Sequence, residues 1–288
     1  MITLRVGGVP EHFNLPWHLT LDARKFEAHG IEIAWHDYPG GSGAMAKALR
    51  DGALDAALLL TEGAVAAVSD GVPLVIVSRY TDSPLLWGIH VPAASRFRAV
   101  EELRGARYAI SRTGSGSHLM AIVHAKTQNW PVDRLALVPV GNLEGAVAAF
   151  AEGRADVFFW EKLMTKPLVD AGKFRRVGEF TAPWPAFVVC AARSLDGERR
   201  AALGRAVTLV LEEARVLRSR PDAAQLIASR YGLRAEDVGE WLETTRWSAS
   251  VGVAANDVGQ ACMVLGSLGV LPRVVDAAEC IATESDVP

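Results

Sequence analysis

Short apolar runs alternate with amphipathic stretches along the first third of the chain. Residues 2–6, 32–36 and 55–60 have the pattern of strands, and 74–78 adds a fourth. Helices are predicted from about residue 17 to 29, at 44–50 and at 64–69. Because 56–60 is wholly apolar, we expect this strand to be buried on both faces, as in a parallel sheet.

The same pattern returns in the second third of the chain. Strands are predicted at 107–111, 136–140 and 156–160, and helices open after the first two of them. The segment ALRDGALDA at 48–56 aligns without gaps with AFAEGRADV at 149–157. In both, a helix ends at a glycine, which tolerates the left-handed conformation there, and an aspartate leads into the next strand. The chain therefore contains two copies of one β–α unit.

Two such copies predict an α/β fold of two lobes, each an open, mainly parallel sheet flanked by helices. The first lobe is expected to contain residues 1–84 and a helical return at 193–288, and the second lobe residues 85–192. Helices of the return are predicted at 197–218, 222–231, 235–244 and 257–268. The links at 78–84 and 185–192 are hinge candidates. Since ligands bind at the carboxyl ends of parallel strands, we expect a binding cleft between the lobes.

Composition excludes several classes of protein. The 288 residues include 30 Lys plus Arg against 33 Asp plus Glu, so the basic surplus that binds nucleic acid is missing. No apolar run approaches the roughly 18 residues of a membrane helix, and we expect no membrane insertion. Three cysteines without metal-ligand spacing are expected to be buried, reduced thiols. No secretory signal is recognisable, which predicts a cytoplasmic protein, or a periplasmic one if the sequence is a processed form.

Two segments rich in glycine and serine open predicted helices. Unpaired N–H groups at a helix start attract anions and polar ligand atoms, and small residues allow close approach. We take the two segments to occupy matched positions in the two lobes, which favours a ligand role over simple capping. Neither is a nucleotide-binding loop, because the lysine and further glycine of those motifs are missing. The candidate ligand residues from these and a third helix start are Gly41, Ser42, Gly114, Ser115, Ser117, His118 and Asn142.

Carboxylates and aromatic rings supply the other candidates. Thr61 and Glu62 follow the third strand of the first copy, and Glu161 follows the third strand of the second. Each glutamate is expected either to cap the helix after it or to accept hydrogen bonds from an amine or amino-heterocycle. Two carboxylates disfavour a bare anion such as nitrate. Flat aromatic rings beside polar groups are suited to binding a small planar ligand. Trp241 and Trp247 are instead predicted to lie in the core. The remaining candidates near the strand ends are His12, Phe13, Asn14, Trp17, Trp160 and Trp184.

These segments resemble those of type II periplasmic solute-binding proteins. The resemblance is carried by PEHFN at 10–14, GGSGAM at 40–45, LTEG at 60–63 and RTGSGSH at 112–118, and it covers roughly residues 1–192. Within that superfamily the chain is most similar to the branch that binds nitrate, alkanesulfonates and pyrimidine precursors of thiamine. The resemblance implies a monomeric receptor for a small molecule, with an ABC permease as partner.

The leading hypothesis is therefore a binding protein that closes on a small planar polar metabolite, such as a thiamine-pyrimidine-like heterocycle. One alternative is a cofactor-biosynthesis enzyme on the same scaffold, in which the histidines and glutamates act as acids and bases. Another is a nitrate- or sulfonate-type anion receptor. Hydrolase and metal motifs are missing, so no catalytic residue, metal or cofactor is assigned.

Overall fold

The computed structural model describes residues 1–282, which divide into two compact units. The first unit contains 1–84, 184–263 and the segment from 271, and the second contains 85–183 and 264–270. Eight strands and their flanking helices confirm the predicted α/β class.

The first unit begins with three parallel β–α steps. Its elements are β1 (Ile2–Gly8), a 3-10 turn (His12–Asn14), α1 (Leu15–Asp22), α2 (Lys25–Ala28), β2 (Ile31–Asp37), α3 (Gly41–Arg50), β3 (Ala56–Leu60) and α4 (Thr61–Ser69). The single helix predicted up to about residue 29 is in fact two helices. The chain breaks at Arg24, whose φ of 52° is left-handed and interrupts the helical hydrogen bonds.

The strand predicted at 74–78 is much longer. It forms β4 (Leu74–Pro92), which continues from the first unit into the second because residues rich in aromatic and β-branched side chains follow without a turn. The second unit then contains β5 (Arg107–Ile110), α5 (Gly116–Thr127), β6 (Ala136–Pro139), α6 (Leu143–Ala151), β7 (Val157–Glu161) and α7 (Lys162–Asp170). The strand β8 (Phe174–Ala192) leads back into the first unit.

Helices make up most of the remaining chain, as predicted. They are α8 (Gly197–Ser219), α9 (Ala223–Tyr231), α10 (Ala235–Thr244), α11 (Ala255–Ser267) and α12 (Ala277–Cys280). The last of these, a single turn, was not predicted. It carries a capping box in which Asp276 and Glu279 satisfy each other's backbone N–H groups.

The strands within each unit pair in the same pattern. In the first, β1 pairs in parallel with β2 and β3, and β3 pairs antiparallel with β8. In the second, β5 pairs in parallel with β6 and β7, and β7 pairs antiparallel with β4. The open, mainly parallel strand arrangement predicted for each lobe is therefore confirmed.

The internal repeat is visible in side-chain contacts as well as in topology. Asp55, just before β3, accepts hydrogen bonds from the backbone N–H and guanidinium of Arg5 at 2.7–3.1 Å. Asp156, just before β7, accepts the same three bonds from Arg107 at 2.7–2.9 Å. The two aspartates of the aligned segments thus join equivalent pairs of strands in the two units.

Candidate functional site

Three connections of the first unit begin at the same edge of its sheet. The 3-10 turn follows β1, α3 follows β2 and α4 follows β3, and the three strands run in parallel. Parallel strands place their carboxyl ends together, so this edge carries the first-unit candidates of all three connections. The antiparallel strand β8 adds Trp184 and Pro185, because Phe187 pairs with Leu60 at the end of β3.

The first turn of α4 is bonded to β8 through two adjacent side chains. Trp184 Nε1 donates a hydrogen bond of 2.7 Å to Glu62 Oε2, and Thr61 Oγ1 donates one of 2.6 Å to the carbonyl of Pro185. Glu62 is 1% exposed, and its second oxygen, Oε1, has no hydrogen-bond partner among the described residues. Burial raises the pKa of Glu62 to about 7, against the opposing effect of its hydrogen bonds. Glu62 is therefore a buried carboxyl group that changes protonation near neutral pH.

Ser42 fixes the start of α3 next to this turn. Its Oγ accepts the N–H of Leu60 at 2.9 Å, so the hydroxyl oxygen that was predicted to meet a ligand is used within the protein. Gly41, with a φ of 68°, makes the turn that precedes it. A Cβ on Gly63 would lie only 2.7 Å from Ser42 Cβ, which shows how closely α3 and α4 approach.

We therefore expect Gly63→Ala to lower the free energy of unfolding by about 1–3 kcal/mol, because the added methyl group overlaps Ser42. The matched control is Gly204→Ala in α8, where no atom lies within 4 Å of the new Cβ and helix propensity favours alanine. Urea denaturation of the two variants measures the difference. Equal stabilities would show that the approach of the two helices is not tight.

The 3-10 turn presents a histidine whose hydrogen-bonding capacity is unused. His12 is fully buried, and within residues 1–282 neither ring nitrogen has a hydrogen-bond partner. Its ring contacts those of Phe13 at 4.6 Å and Trp241 at 4.4 Å between centroids. Burial lowers the pKa of His12 to about 3, so the ring is neutral at physiological pH.

Two residues outside the candidate set hold this turn in place. The carbonyl of Phe13 accepts hydrogen bonds from Tyr80 Oη at 2.7 Å and Trp247 Nε1 at 3.0 Å. Asn14 donates from Nδ2 to the carbonyl of Val9 at 2.8 Å, so its side chain also serves the turn. Trp247 is buried as predicted, but its indole nitrogen positions the turn, which a sequence pattern does not reveal.

Trp17 lies in the hydrophobic core of the first unit. It is fully buried in α1, and its ring packs against those of Phe26 and Trp35 at 5.9 and 5.6 Å. The contacts of this ring are those of a core residue.

In the second unit, the glycine- and serine-rich segment forms a network of internal hydrogen bonds at the start of α5. Ser115 Oγ donates to the carbonyl of Arg112 at 2.7 Å and accepts the N–H of His118. Ser117 Oγ accepts the N–H of Ser111 at 2.9 Å, and His118 Nδ1 accepts that of Gly114 at 3.0 Å. Burial lowers the pKa of His118, so the neutral ring accepts at Nδ1 and carries its proton on Nε2.

Arg112 is a half-buried cation in the same segment, and the sequence analysis missed it. It is the second residue after β5, and burial lowers the pKa of its guanidinium. Only the position of Arg112 identifies it in the sequence, since it lies just after the carboxyl end of a parallel strand. A guanidinium close to the start of a helix favours the binding of an anion.

The remaining second-unit candidates have structural roles. Asn142 caps α6 by accepting the N–H of Gly145 at 2.9 Å, and Glu161 caps α7 by accepting that of Met164 at 2.7 Å. The half-buried Trp160 stacks on Phe158 at 5.0 Å. The sequence left two roles open for Glu161, capping a helix and contacting a ligand, and the structure shows the capping bond.

The expectation that the two glycine–serine segments occupy matched positions is wrong. Gly41 and Ser42 follow β2, whereas the segment containing Gly114 follows β5, which is the counterpart of β1. The topological counterpart of the α3 start is instead the α6 start at Asn142. The two segments are alike in composition, but they follow different strands of the repeat.

Within residues 1–282, no group of three or more His, Cys, Asp and Glu side chains is arranged to hold a metal ion. Over the same residues, every helix is too short or too polar to cross a lipid bilayer.

Comparison with known proteins defines the fold. Residues 87–180 match the family model of Ca3427-like periplasmic binding proteins. The CA3427 gene product of Candida albicans, described as having the generic periplasmic binding protein fold, superposes with a TM-score of 0.89 at 23% identity, over 98% of this chain and 96% of that one. No curated protein matches the chain by sequence.

Two sulfonate-binding proteins share the same fold. The alkanesulfonate-binding protein SsuA of Xanthomonas axonopodis pv. citri, bound to MOPS, gives a TM-score of 0.80 at 21% identity over 98% of both chains. The aliphatic sulphonate-binding SsuA of Escherichia coli gives 0.76 at 20% identity, over 98% of this chain and 92% of that one.

The chain therefore has the periplasmic-binding-protein fold, as its resemblance to that superfamily predicted.

Proposed function

We propose that the protein is a receptor for a small planar metabolite with N–H donors, an amino-substituted heterocycle of the thiamine-pyrimidine type. Glu62 in the first unit is its main polar contact. The observation that carries this proposal is the unpartnered Oε1 of that carboxyl group, whose other oxygen is held by Trp184.

An unpartnered oxygen in a buried carboxyl group is costly. Such an atom forgoes about 1–3 kcal/mol of hydrogen bonding, so native proteins keep few of them without a functional reason. An amino group donates the hydrogen bond that Oε1 lacks. Because the pKa of Glu62 is about 7, the carboxyl group is partly ionised at neutral pH and then accepts from a neutral or a cationic donor.

Aromatic rings near this strand edge favour a flat ligand. Phe187, which pairs with Leu60 two residues before Glu62, contacts Phe13 at 4.9 Å between ring centroids. Phe13 in turn contacts Trp241 at 5.1 Å. The aromatic side chains and the single carboxyl group match the usual composition of a small-molecule site, with apolar walls and few polar contacts.

Known proteins of this fold suggest a partner as well. One of them is the ligand-binding component of an ABC-type import system from Staphylococcus aureus, which has a TM-score of 0.76 at 11% identity over 98% of this chain and 97% of that one. We propose that an ABC permease receives the solute from this protein. Periplasmic location of the mature protein is part of the same proposal.

Native mass spectrometry of the purified protein tests the proposed ligand class. We expect a complex whose extra mass, released by collisional activation, is that of an aminated heterocycle. Purified Glu62→Gln protein is the matched control and is expected to carry much less of it. A retained sulfonate, or equal retention by the variant, would contradict the proposal.

The second candidate function is binding of a small organic anion such as a sulfonate. It is favoured by Arg112, a half-buried cation whose backbone carbonyl accepts from Ser115, the residue that caps α5. A sulfonate receptor would lose affinity in Arg112→Gln and keep it in Glu62→Gln, which is the opposite of the pattern expected for the heterocycle.

A further inference from the structure

Two of the three cysteines lie side by side in the first unit. Cys262 in α11 and Cys280 in α12 have their sulfur atoms 4.0 Å apart. The side chains are buried, with exposures of 4% and 0% for the two residues. Both are free thiols, as is Cys190 in β8.

We propose that Cys262 and Cys280 form a reversible disulfide when the protein meets a low-molecular-weight disulfide, and that this bond ties α12 to α11. Sulfur atoms in contact need to approach by about 2 Å to reach bonding distance, which is within the range of side-chain rotation and a small helix shift. Residues farther apart in a fold need a larger backbone movement. The contact between these two thiols is therefore a site for a covalent bond.

The hydrogen bond between the thiols assigns them different roles. It lowers the pKa of Cys262 and raises that of Cys280, because the thiolate that forms first accepts from the thiol that keeps its proton. Cys262 is thus the attacking thiolate and Cys280 the resolving thiol. Since α12 is a single helical turn, its local opening exposes both sulfur atoms to a small reagent.

The reaction with a disulfide RSSR proceeds in two exchanges. The Cys262 thiolate attacks one sulfur, forms Cys262–S–S–R and releases RS⁻. Cys280 then loses its proton, attacks Cys262 Sγ and releases the second RS⁻. The protein dithiol gives up two protons and two electrons, and RSSR is reduced to two RSH.

A disulfide between Cys262 and Cys280 would hold in place the segment around α12, which lies against α4. The helix α12 contacts α4, the helix that bears Glu62. Beyond it, the backbone N–H of Ala282 donates to the carbonyl of Ile76 in β4 at 2.9 Å. Before it, Ser69 at the end of α4 bonds with the backbone of Arg273. A crosslink at Cys280 would therefore hold a segment that already packs on the first unit.

Incubation of the full chain with oxidised glutathione tests the proposal. We expect the intact mass to fall by about 2 Da, the mass of two hydrogen atoms, and the free-thiol count to fall from three to one. Tm should rise by about 5 °C, because the crosslink restricts the unfolded chain. Dithiothreitol should reverse all three changes.

Single cysteine variants identify the two thiols that form the disulfide. Cys190→Ser is expected to lose the same 2 Da or so as the wild type, whereas Cys262→Ser and Cys280→Ser should not. Wild-type protein that keeps three thiols, stops at a glutathione adduct or forms a disulfide-linked dimer would overturn the proposal, and this result does not depend on any variant folding. The test is independent of solute binding, so the two proposals fail separately.

Discussion

Replacing Glu62 by glutamine is expected to stabilise the unliganded protein by about 2–3 kcal/mol at about pH 8, and by much less at about pH 5. The carboxyl group is buried and has a pKa of about 7, so its ionisation in the folded protein is unfavourable. Glutamine is nearly isosteric, keeps an oxygen to accept from Trp184 Nε1, and carries no charge.

The pH dependence follows from the direction of the shift. In the unfolded chain a glutamate loses its proton near pH 4.3, whereas folded Glu62 keeps its proton up to about 7. Wild-type stability therefore falls as the pH rises through this interval, because folding takes up a proton, and the full penalty is present above it. The variant has no such loss, so the stability curves separate between about pH 5 and pH 8.

Urea denaturation across this pH range measures the effect. The control is Glu144→Gln, which makes the same change of charge at an exposed carboxylate in the first turn of α6. If Glu62→Gln instead destabilises the protein at high pH, the carboxylate is part of the internal bonding of the fold and is not reserved for a ligand. A stabilising result would be typical of a binding site whose unliganded form is strained.

Replacing Asp55 by asparagine is expected to destabilise the protein by about 3 kcal/mol. The Asp55 side chain is 5% exposed and accepts from Arg5 and also from Arg199 of α8, at 2.6 Å. Asparagine turns one acceptor oxygen into an N–H₂ donor that faces guanidinium donors. Burial opposes the ionisation of Asp55, but its bonds to Arg5 and the charge of Arg199 outweigh it and lower the pKa. This stabilisation is present above the unfolded pKa of about 3.9 and is lost as the pH falls through the lower folded pKa.

The repeat provides a matched control for this prediction. Asp156→Asn breaks the equivalent bonds to Arg107 in the second unit, but this aspartate side chain is 25% exposed and has one arginine fewer as an ion-pair partner. Water compensates part of the loss, so we expect about 1 kcal/mol. Guanidinium-induced unfolding followed by circular dichroism compares the two variants. Equal losses would contradict the view that burial and the second arginine make the Asp55 site the stronger one.

The fold was predictable because its signals are local and occur twice. Apolar runs such as 56–60 and the glycine–aspartate spacing in 48–56 and 149–157 depend only on neighbouring residues, and the strands and the repeat follow from them. The sequence offered α7 only as the helix that Glu161 would cap, and its extent was not predicted because Pro167 and many polar residues weaken the periodic pattern. The strand β4 was predicted too short, and β8 was taken for a link, because their pairing is set by distant partners.

The candidate site was predictable only as a set of positions. The carboxyl ends of β1 and β3 could be located, and Glu62 follows the second of these. The bond between Glu62 and Trp184 joins residues 122 positions apart, and no local pattern encodes it. For the same reason, the sequence left open whether Glu161 caps a helix. The only sequence signal for Arg112 was its position just after a predicted strand.

Binding of a planar amine by Glu62 is the central feature of the proposed function. Isothermal titration calorimetry with hydroxymethyl-aminopyrimidine, the pyrimidine part of thiamine, at about pH 8 tests this claim in the wild type and in Glu62→Gln. We predict saturable one-to-one binding by the wild type and an affinity at least about tenfold weaker in the variant, since one charge-assisted hydrogen bond is lost. Equal affinities in the two proteins, or heat from a sulfonate such as MOPS and none from the pyrimidine, would contradict it.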